Sequence, residues 1–201
     1  MQKFATLTPQ QKLMSTPTIH NWMAWEGGVD LVALTQPGLA MPNVIVHVAR
    51  IVHTPVGSAP SGMICWQPDP NAAPAVVGFI SQDPNVGKYF GPKIFGGTPF
   101  ENAPVLAAKI EVDSARAPGE ISATVTVGNF VFKTSLKGLR PTELINRPPA
   151  AMSPFWQQGG EAAAASASLT VNGQEVKVIV PPTGISGGPA AVWSPCGIYA
   201  R

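Results

Sequence analysis

Charge is scarce in this chain. Asp, Glu, Lys and Arg make up only 12% of its 201 residues, against roughly a quarter in ordinary soluble domains. The 13 basic and 11 acidic side chains are scattered, with no run of either sign, and leave a formal charge of +2. Phosphate backbones are bound by clustered Lys and Arg, so nucleic acid is not the expected partner. A surface this poor in charge stays soluble through Gly-, Pro- and Ser-rich loops or by covering itself with further copies, and a homo-oligomer is expected. Long apolar runs are also missing. Residues 44–51 and 75–80 are the longest, far short of the roughly 20 residues that span a bilayer as a helix, so no membrane association is expected. The first residues, Met1-Gln2-Lys3-Phe4-Ala5-Thr6, carry neither a signal-peptide apolar core nor a twin-arginine pair, and the expected location is cytoplasmic.

Other absences remove whole classes of chemistry. Cys65 and Cys196 are the only cysteines, and in a reducing compartment two unpaired, buried thiols are the commoner outcome. His20, His47 and His53 are the only histidines, with no Cys-x-x-Cys or His-x-x-x-His, so the ligand set of a metal site is not present. No Gly-x-Ser-x-Gly stretch stands between a predicted strand and a predicted helix, so the usual α/β-hydrolase arrangement is not expected. Gly96-Gly97 and Gly187-Gly188 lack a following Lys; they read as turns, not phosphate loops. No cofactor is expected.

What the chain has in quantity is punctuation and strand-forming sequence. Its 22 prolines and 20 glycines cut it into short segments, most with strand patterns. Residues 42–51 are β-branched and bounded by prolines, which predicts a strand. Alternation places Val44, Val46, Val48 and Arg50 on one face and Ile45, His47, Ala49 and Ile51 on the other. Both faces are largely apolar, so the strand is expected to be central. Further strands are predicted over 75–81, 105–112, 120–127, 129–134, 168–171 and 175–180. Gly128-Asn129 and Asn172-Gly173 stand between alternating segments and predict two hairpins. Residues 8–14 read as a short helix capped by Thr8 with Pro9 in its first turn. Weaker helical candidates are 140–145 and 160–165, the latter Ala-rich but short enough to be a loop. The expected fold is one β-rich α+β domain over residues 1–201, a curved antiparallel sheet closing into a barrel-like cavity fold with a few short helices.

His47 has two readings. It is an imidazole in a cavity, able to move a proton near neutral pH, or it is a hydrogen-bonded core histidine. The five tryptophans, Trp22, Trp25, Trp66, Trp156 and Trp193, sit near Pro, Gly or Gln. They either wall a pocket or plug the barrel ends.

The segment Gly91-Pro92-Lys93-Ile94-Phe95-Gly96-Gly97-Thr98-Pro99-Phe100-Glu101-Asn102-Ala103 resembles the acetoacetate decarboxylase family, which carries a Gly-Arg-Glu stretch followed by a small-aromatic-Pro-Lys-Lys motif. The order of the flanking pieces is similar over residues 20–195: a Pro-led strand at 42–51, Asp83-Pro84 before the motif, a strand pair within 105–134, then Arg147-Pro148 and Ala191-Val192-Trp193. The resemblance implies a β-rich cavity fold. Where that family has its two lysines this chain has Phe100 and Glu101, and where it has Arg-Glu this chain has Lys93 and Ile94. A Schiff-base lysine accepts the electrons released by decarboxylation; phenylalanine cannot. The family's active-site glutamate on the early strand falls near His47.

The resemblance therefore implies a cavity enzyme, a lyase or an isomerase or cyclase without metal, acting on a small carbonyl or carboxylate metabolite without a Schiff base. Isomerisation, cyclisation, dehydration and non-covalent decarboxylation all fit. His47 is expected to carry the proton with Glu101 or Lys93 as electrostatic partner, while Phe100, Trp66, Gln67, Trp156 and Arg50 are expected to hold the substrate. The alternative is a non-catalytic small-ligand binder or an assembly protein on the same fold. Borohydride treatment in the presence of small ketoacids should leave the chain's mass unchanged. A reduced adduct on Lys88, Lys93 or Lys109 in the mass spectrum would mean that a displaced lysine has taken over the missing role.

Overall fold

Short β-branched segments separated by Gly and Pro have one economical way to satisfy their backbone groups, which is to pair into a sheet. In the computed structural model, which describes residues 22–149, 155–185 and 187–200, they do so almost throughout. The helix expected over 8–14 and the histidine at position 20 lie outside the described residues. The elements are β1 (Trp22–Ala33), β2 (Val44–Thr54), β3 (Gly57–Trp66), β4 (Val76–Ser81), α1 (Pro84–Ile94), β5 (Val105–Asp113), β6 (Glu120–Val127), β7 (Phe130–Leu139), β8 (Glu143–Arg147), β9 (Trp156–Val171), β10 (Gln174–Val176) and β11 (Ala191–Ala200). They form one mostly antiparallel sheet of 11 strands, and a hydrogen-bonded ring runs through 9 of them. The ring order is β9-β11-β1-β2-β3-β4-β5-β6-β7, closed by β7 pairing with β9. The expected barrel-like, β-rich fold is the one observed, with β2 central between β1 and β3.

The hairpin at Asn172-Gly173 has both turn residues at positive φ (51° and 79°), whereas at Gly128-Asn129 only Gly128 does (54°). Two helical expectations are corrected. Residues 140–145 run into β8, and 160–165 lie inside the 16-residue β9. Alanine is the best intrinsic helix former, but tertiary context routinely overrides propensity, and in β9 strands pair along both edges. Conversely α1 was not anticipated, because Gly87, Gly91 and Pro92 disguise it. Its start is nonetheless well specified: Pro84 opens the first turn and the Asp83 carboxylate accepts the Asn85 N–H at 2.8 Å.

The chain builds two cores. Val29, Leu31, Val46, Ile64, Ile80, Ile121, Phe132, Leu136 and Leu169 converge from around the ring and fill the barrel. The single parallel pairing joins β4 to β5, and a parallel neighbour requires a crossover connection. That crossover is α1, which lies against the outside of the β2–β4 wall. Met23, Ile45, Ala49, Met63, Phe79, Phe90 and Phe95 form a second core beneath it. Alternation along β2 divides its residues between these cores, Val44, Val46 and Val48 inward and Ile45 and Ala49 towards α1. His47 shares the α1-facing side.

The helix sits on its wall through glycine. A Cβ built on Gly91 would lie 2.2 Å from the ring of Phe79, a fully buried side chain. Gly91→Ala should therefore lift α1 off the sheet and destabilise the fold by about 1–3 kcal/mol, the usual cost of overpacking. Urea unfolding measures this, with the exposed Lys88→Ala as control; equal stability of the two variants would show that the helix does not pack as described.

Candidate functional site

Beside α1, on the outer face of the β9-β11-β1-β2 wall, the side chains stop being uniformly apolar. Asp30 on β1 and His47 on β2 are direct cross-strand partners, and the imidazole Nδ1 is in ion-pair contact with Asp30 Oδ1. On the neighbouring strands, Arg147 of β8 donates from Nη1 and Nη2 to the two oxygens of Glu161 of β9, each at 2.6 Å. Arg147 Nη1 also donates to Gln157 Oε1 at 3.1 Å. Tyr199 of β11 lies directly across from Gln157. Its ring packs on Trp25 with centroids 4.7 Å apart, and the Trp25 indole donates to Ser194 Oγ at 2.9 Å. Ser194 in turn donates to the Gly160 carbonyl at 2.7 Å, so its hydroxyl is fully engaged as a structural link.

Two small compartments that share Asp30, His47, Gln157 and Tyr199 in their walls open over this network. The inner one, between Trp25, Asp30, His47, Phe90, Gln157, Glu161 and Tyr199, has a free volume of about 30 Å³. The outer one has about 70 Å³ and is walled by Ile45, Ile94, Phe95, Thr98, Ile185 and Pro189. Both are far smaller than the roughly 300–1,000 Å³ of drug-sized pockets, which sets the scale of anything that enters. The His47 ring is held by Phe90, parallel at 6.3 Å, and by Phe95, edge-on at 5.7 Å. The turn containing Gly188 closes over the second ion pair. A Cβ there would stand 2.4 Å from Arg147 Nη2, so a larger residue would have to displace the guanidinium.

Among the described residues His47 Nε2, Tyr199 Oη and Gln157 Nε2 make no hydrogen bond, and buried Asp30 Oδ1 has the His47 ion-pair contact in place of a well-formed one. Burial lowers the affinity of His47 for its proton, but the Asp30 charge and hydrogen bond together outweigh it, and the pKa is raised above the ordinary value. Burial pushes the Tyr199 phenol well above its ordinary range, reinforced by the Asp30 and Glu161 carboxylates and only partly offset by Arg147. Tyr199 is therefore a persistent O–H donor. The hydrogen bonds to Glu161 outweigh burial and hold the Arg147 guanidinium charged.

Of the residues expected to act on or hold the substrate, His47 alone lines this cavity, and of the five tryptophans only Trp25 does. Lys93 is in the last turn of α1 with its ammonium 3.8 Å over the Tyr89 ring. Glu101 is exposed and accepts the Gly97 N–H at 2.7 Å; it tightens a turn. Phe100 packs at the edge of the second core, while Phe95 and Thr98 from the same loop reach the cavity. Trp66 points into the barrel against Phe132, because the parity of β3 sends Cys65 towards α1 instead. Gln67 Nε2 is used by the Pro70 and Ala72 carbonyls. Trp156 faces outward, 45% exposed, and its neighbour Gln157 points in. Arg50 sits at a bulge in the β2–β3 ladder and meets Glu26 on the surface.

Sequence reasoning passed over Asp30, Glu161, Arg147, Gln157 and Tyr199. Two of them carried a signal: Asp30 is a lone carboxylate inside Gly28-Val29-Asp30-Leu31-Val32, and Glu161 is the only charge between residues 156 and 171. A charge embedded in an apolar strand must find a buried partner. Cys65 is free and buried, its thiol pushed up to about 11 by burial and so unreactive; Cys196 is free but exposed, not buried as expected. Among the described residues no cluster of three or more His, Cys, Asp or Glu side chains could hold a metal, and no helix is long and apolar enough to cross a membrane. The chain is matched by no protein-family model, no curated protein and no solved structure.

The raised His47 pKa fixes a sign. The ion pair stabilises the fold fully below the unfolded value of about 6.5, and that contribution is lost as pH rises through the folded value. The unfolding free-energy advantage of wild type over His47→Gln should thus be largest between about pH 5 and 6.5 and shrink above it. NMR titration should also find the His47 pKa lowered in Asp30→Asn, where burial acts alone. An advantage that grows with pH, or an unmoved pKa, would contradict the pairing.

Proposed function

We propose that the cavity is the active site of a small-molecule lyase or isomerase, built on a barrel resembling the acetoacetate decarboxylase family and working by acid–base chemistry without a Schiff base. The observation that carries the reading is the convergence of one titratable and two donor atoms without protein partners, His47 Nε2, Tyr199 Oη and Gln157 Nε2, in an otherwise apolar space. Asp30 is the positioning residue. It fixes the imidazole through Nδ1, leaves Nε2 to the cavity, and stabilises the imidazolium when a proton arrives, the role a carboxylate plays behind a catalytic histidine generally.

In the step this supports, neutral His47 Nε2 removes a proton from the carbon next to a carbonyl. The C–H electron pair moves into the new C=C bond, and the carbonyl π electrons move onto oxygen, where Tyr199 and Gln157 donate hydrogen bonds to the developing charge. Where the substrate carries a β,γ double bond, the dienolate takes the proton back at the γ carbon and the double bond moves into conjugation with the carbonyl. Expelling a β-hydroxyl, with the proton on His47 leaving as part of water, dehydrates it. The same enolate is the nucleophile of a cyclisation. Lys93 and Glu101 have no part in this step.

A non-catalytic ligand-binding module is the second reading, favoured by the small free volume of about 70 Å³ in the larger compartment. The two are separated by exchange. In D₂O, the protein should accelerate incorporation of deuterium next to the carbonyl in at least one member of a panel of small ketones, aldehydes and ketoacids, followed by NMR. His47→Gln should lower that rate by about 10²–10⁴-fold, the usual contribution of a general acid–base group, with the wild-type rate rising as His47 loses its proton. No exchange with any member of the panel, or full activity in His47→Gln, would leave the binding module as the reading that stands.

A further inference from the structure

The charges around the cavity are already matched one to one. His47 is paired with Asp30, and the Arg147 guanidinium is engaged by both oxygens of Glu161 and by Gln157. Recognition of a carboxylate or phosphate needs an unmatched cation or a cradle of free N–H groups. Neither is present at this cavity among the described residues. Lys93 lies over Tyr89 outside the lining, Arg50 is on the surface with Glu26, and the α1 N-terminus is capped by its own Asp83. An anionic substrate would add a third negative charge beside Asp30 and Glu161 with no counter-ion, in surroundings of low dielectric where like-charge repulsion is strong.

We infer that the site selects an uncharged carbonyl compound of a few heavy atoms, a small ketone or aldehyde, and rejects carboxylates and phosphates of the same size. The inference rests on the acid–base reading above and narrows its substrate class. Three further features point the same way. A carbonyl oxygen has two lone pairs and takes two donors, which Tyr199 Oη and Gln157 Nε2 supply. The remaining wall, with Phe90, Phe95, Ile45, Ile185 and Pro189, suits an alkyl body. The free volume of about 70 Å³ in the outer compartment corresponds to on the order of five water-sized groups, taking roughly 10–15 Å³ for each.

The test uses two probes of equal heavy-atom number, 2-butanone and propionate, titrated into the full chain at neutral pH while the His47 Hε1 resonance is followed by NMR. Butanone should shift it saturably and propionate should bind at least ten-fold more weakly. Tyr199→Phe should weaken butanone about ten-fold without moving the already weak propionate titration. Glu161→Gln should do the opposite: by freeing Arg147 it gives the cavity an unmatched cation, and propionate affinity should rise at least ten-fold. Should Glu161→Gln fail to fold, the wild-type pair of titrations still decides the question. Propionate binding as tightly as butanone to the wild type, or butanone binding unchanged in Tyr199→Phe, overturns the inference. If propionate is preferred while His47→Gln still abolishes deuterium exchange, the substrate class falls and the acid–base function stands. If neither probe shifts His47 and no exchange occurs, both fall together.

Discussion

The architecture depends on one strand. β9 is 16 residues long, and its first half pairs with β11 and β8 while its second half pairs with β7 and β10. Closing the ring requires a strand that bends from one partner set to the other, and β9 does so through a stretch of Gly159, Gly160 and the alanines from Ala162 to Ala165, whose small side chains do not obstruct the bend. The strand that closes the barrel also carries Gln157 and Glu161 into the cavity. One strand thus serves both purposes: its first half, paired with β11 and β8, places the site residues, and its second half, paired with β7, closes the ring.

The closed barrel then decides where chemistry can happen. Its interior is packed with Val, Leu, Ile and Phe, which leaves the outer face beside α1 as the place where polar groups gather. Charges there are costly unless paired, and the structure answers with two ion pairs on either side of β11, Asp30–His47 across β1 and β2 and Glu161–Arg147 across β9 and β8. Pairs of this kind contribute little net stability compared with well-packed apolar groups, yet removing one partner leaves a buried, uncompensated charge. Their effect is to fix orientation. Asp30 presents one imidazole nitrogen to the cavity, and Arg147 orients the Gln157 amide so that its nitrogen is left over.

Rigidity follows from how these groups are held. Trp25 supports Tyr199 from behind and is itself anchored through Ser194 to the Gly160 carbonyl. Phe90 and Phe95 hold the His47 ring from the helix side, and Gly91 seats that helix on Phe79. Strands supply the polar side and one helix with its following loop supplies the apolar side, so the relative position of donor atoms and apolar wall is set by core packing. Sites placed on such elements are more precisely preorganised than sites on loops.

The sequence by itself determined the β-rich class, the centrality of residues 44–51, the hairpin at Asn172-Gly173 and the face of β2 on which His47 lies, because each follows from local terms: β-branched propensity, period-two alternation and turn conformations. It also marked His47 as a residue to watch, and through Asp30 and Glu161 it held a fainter signal of charge in apolar strands. Only the tertiary structure decided which residues meet. His47 and Asp30 are 17 positions apart and Tyr199 and Gln157 are 42 apart, and each pair is brought together by strand register, a long-range property that no local pattern encodes. Glu101 and Lys93, near the motif in the chain, were sent to a surface turn and a helix end, because the crossover helix required by the parallel β4–β5 pair turned that segment's apolar residues towards the sheet and left its charged ones outside.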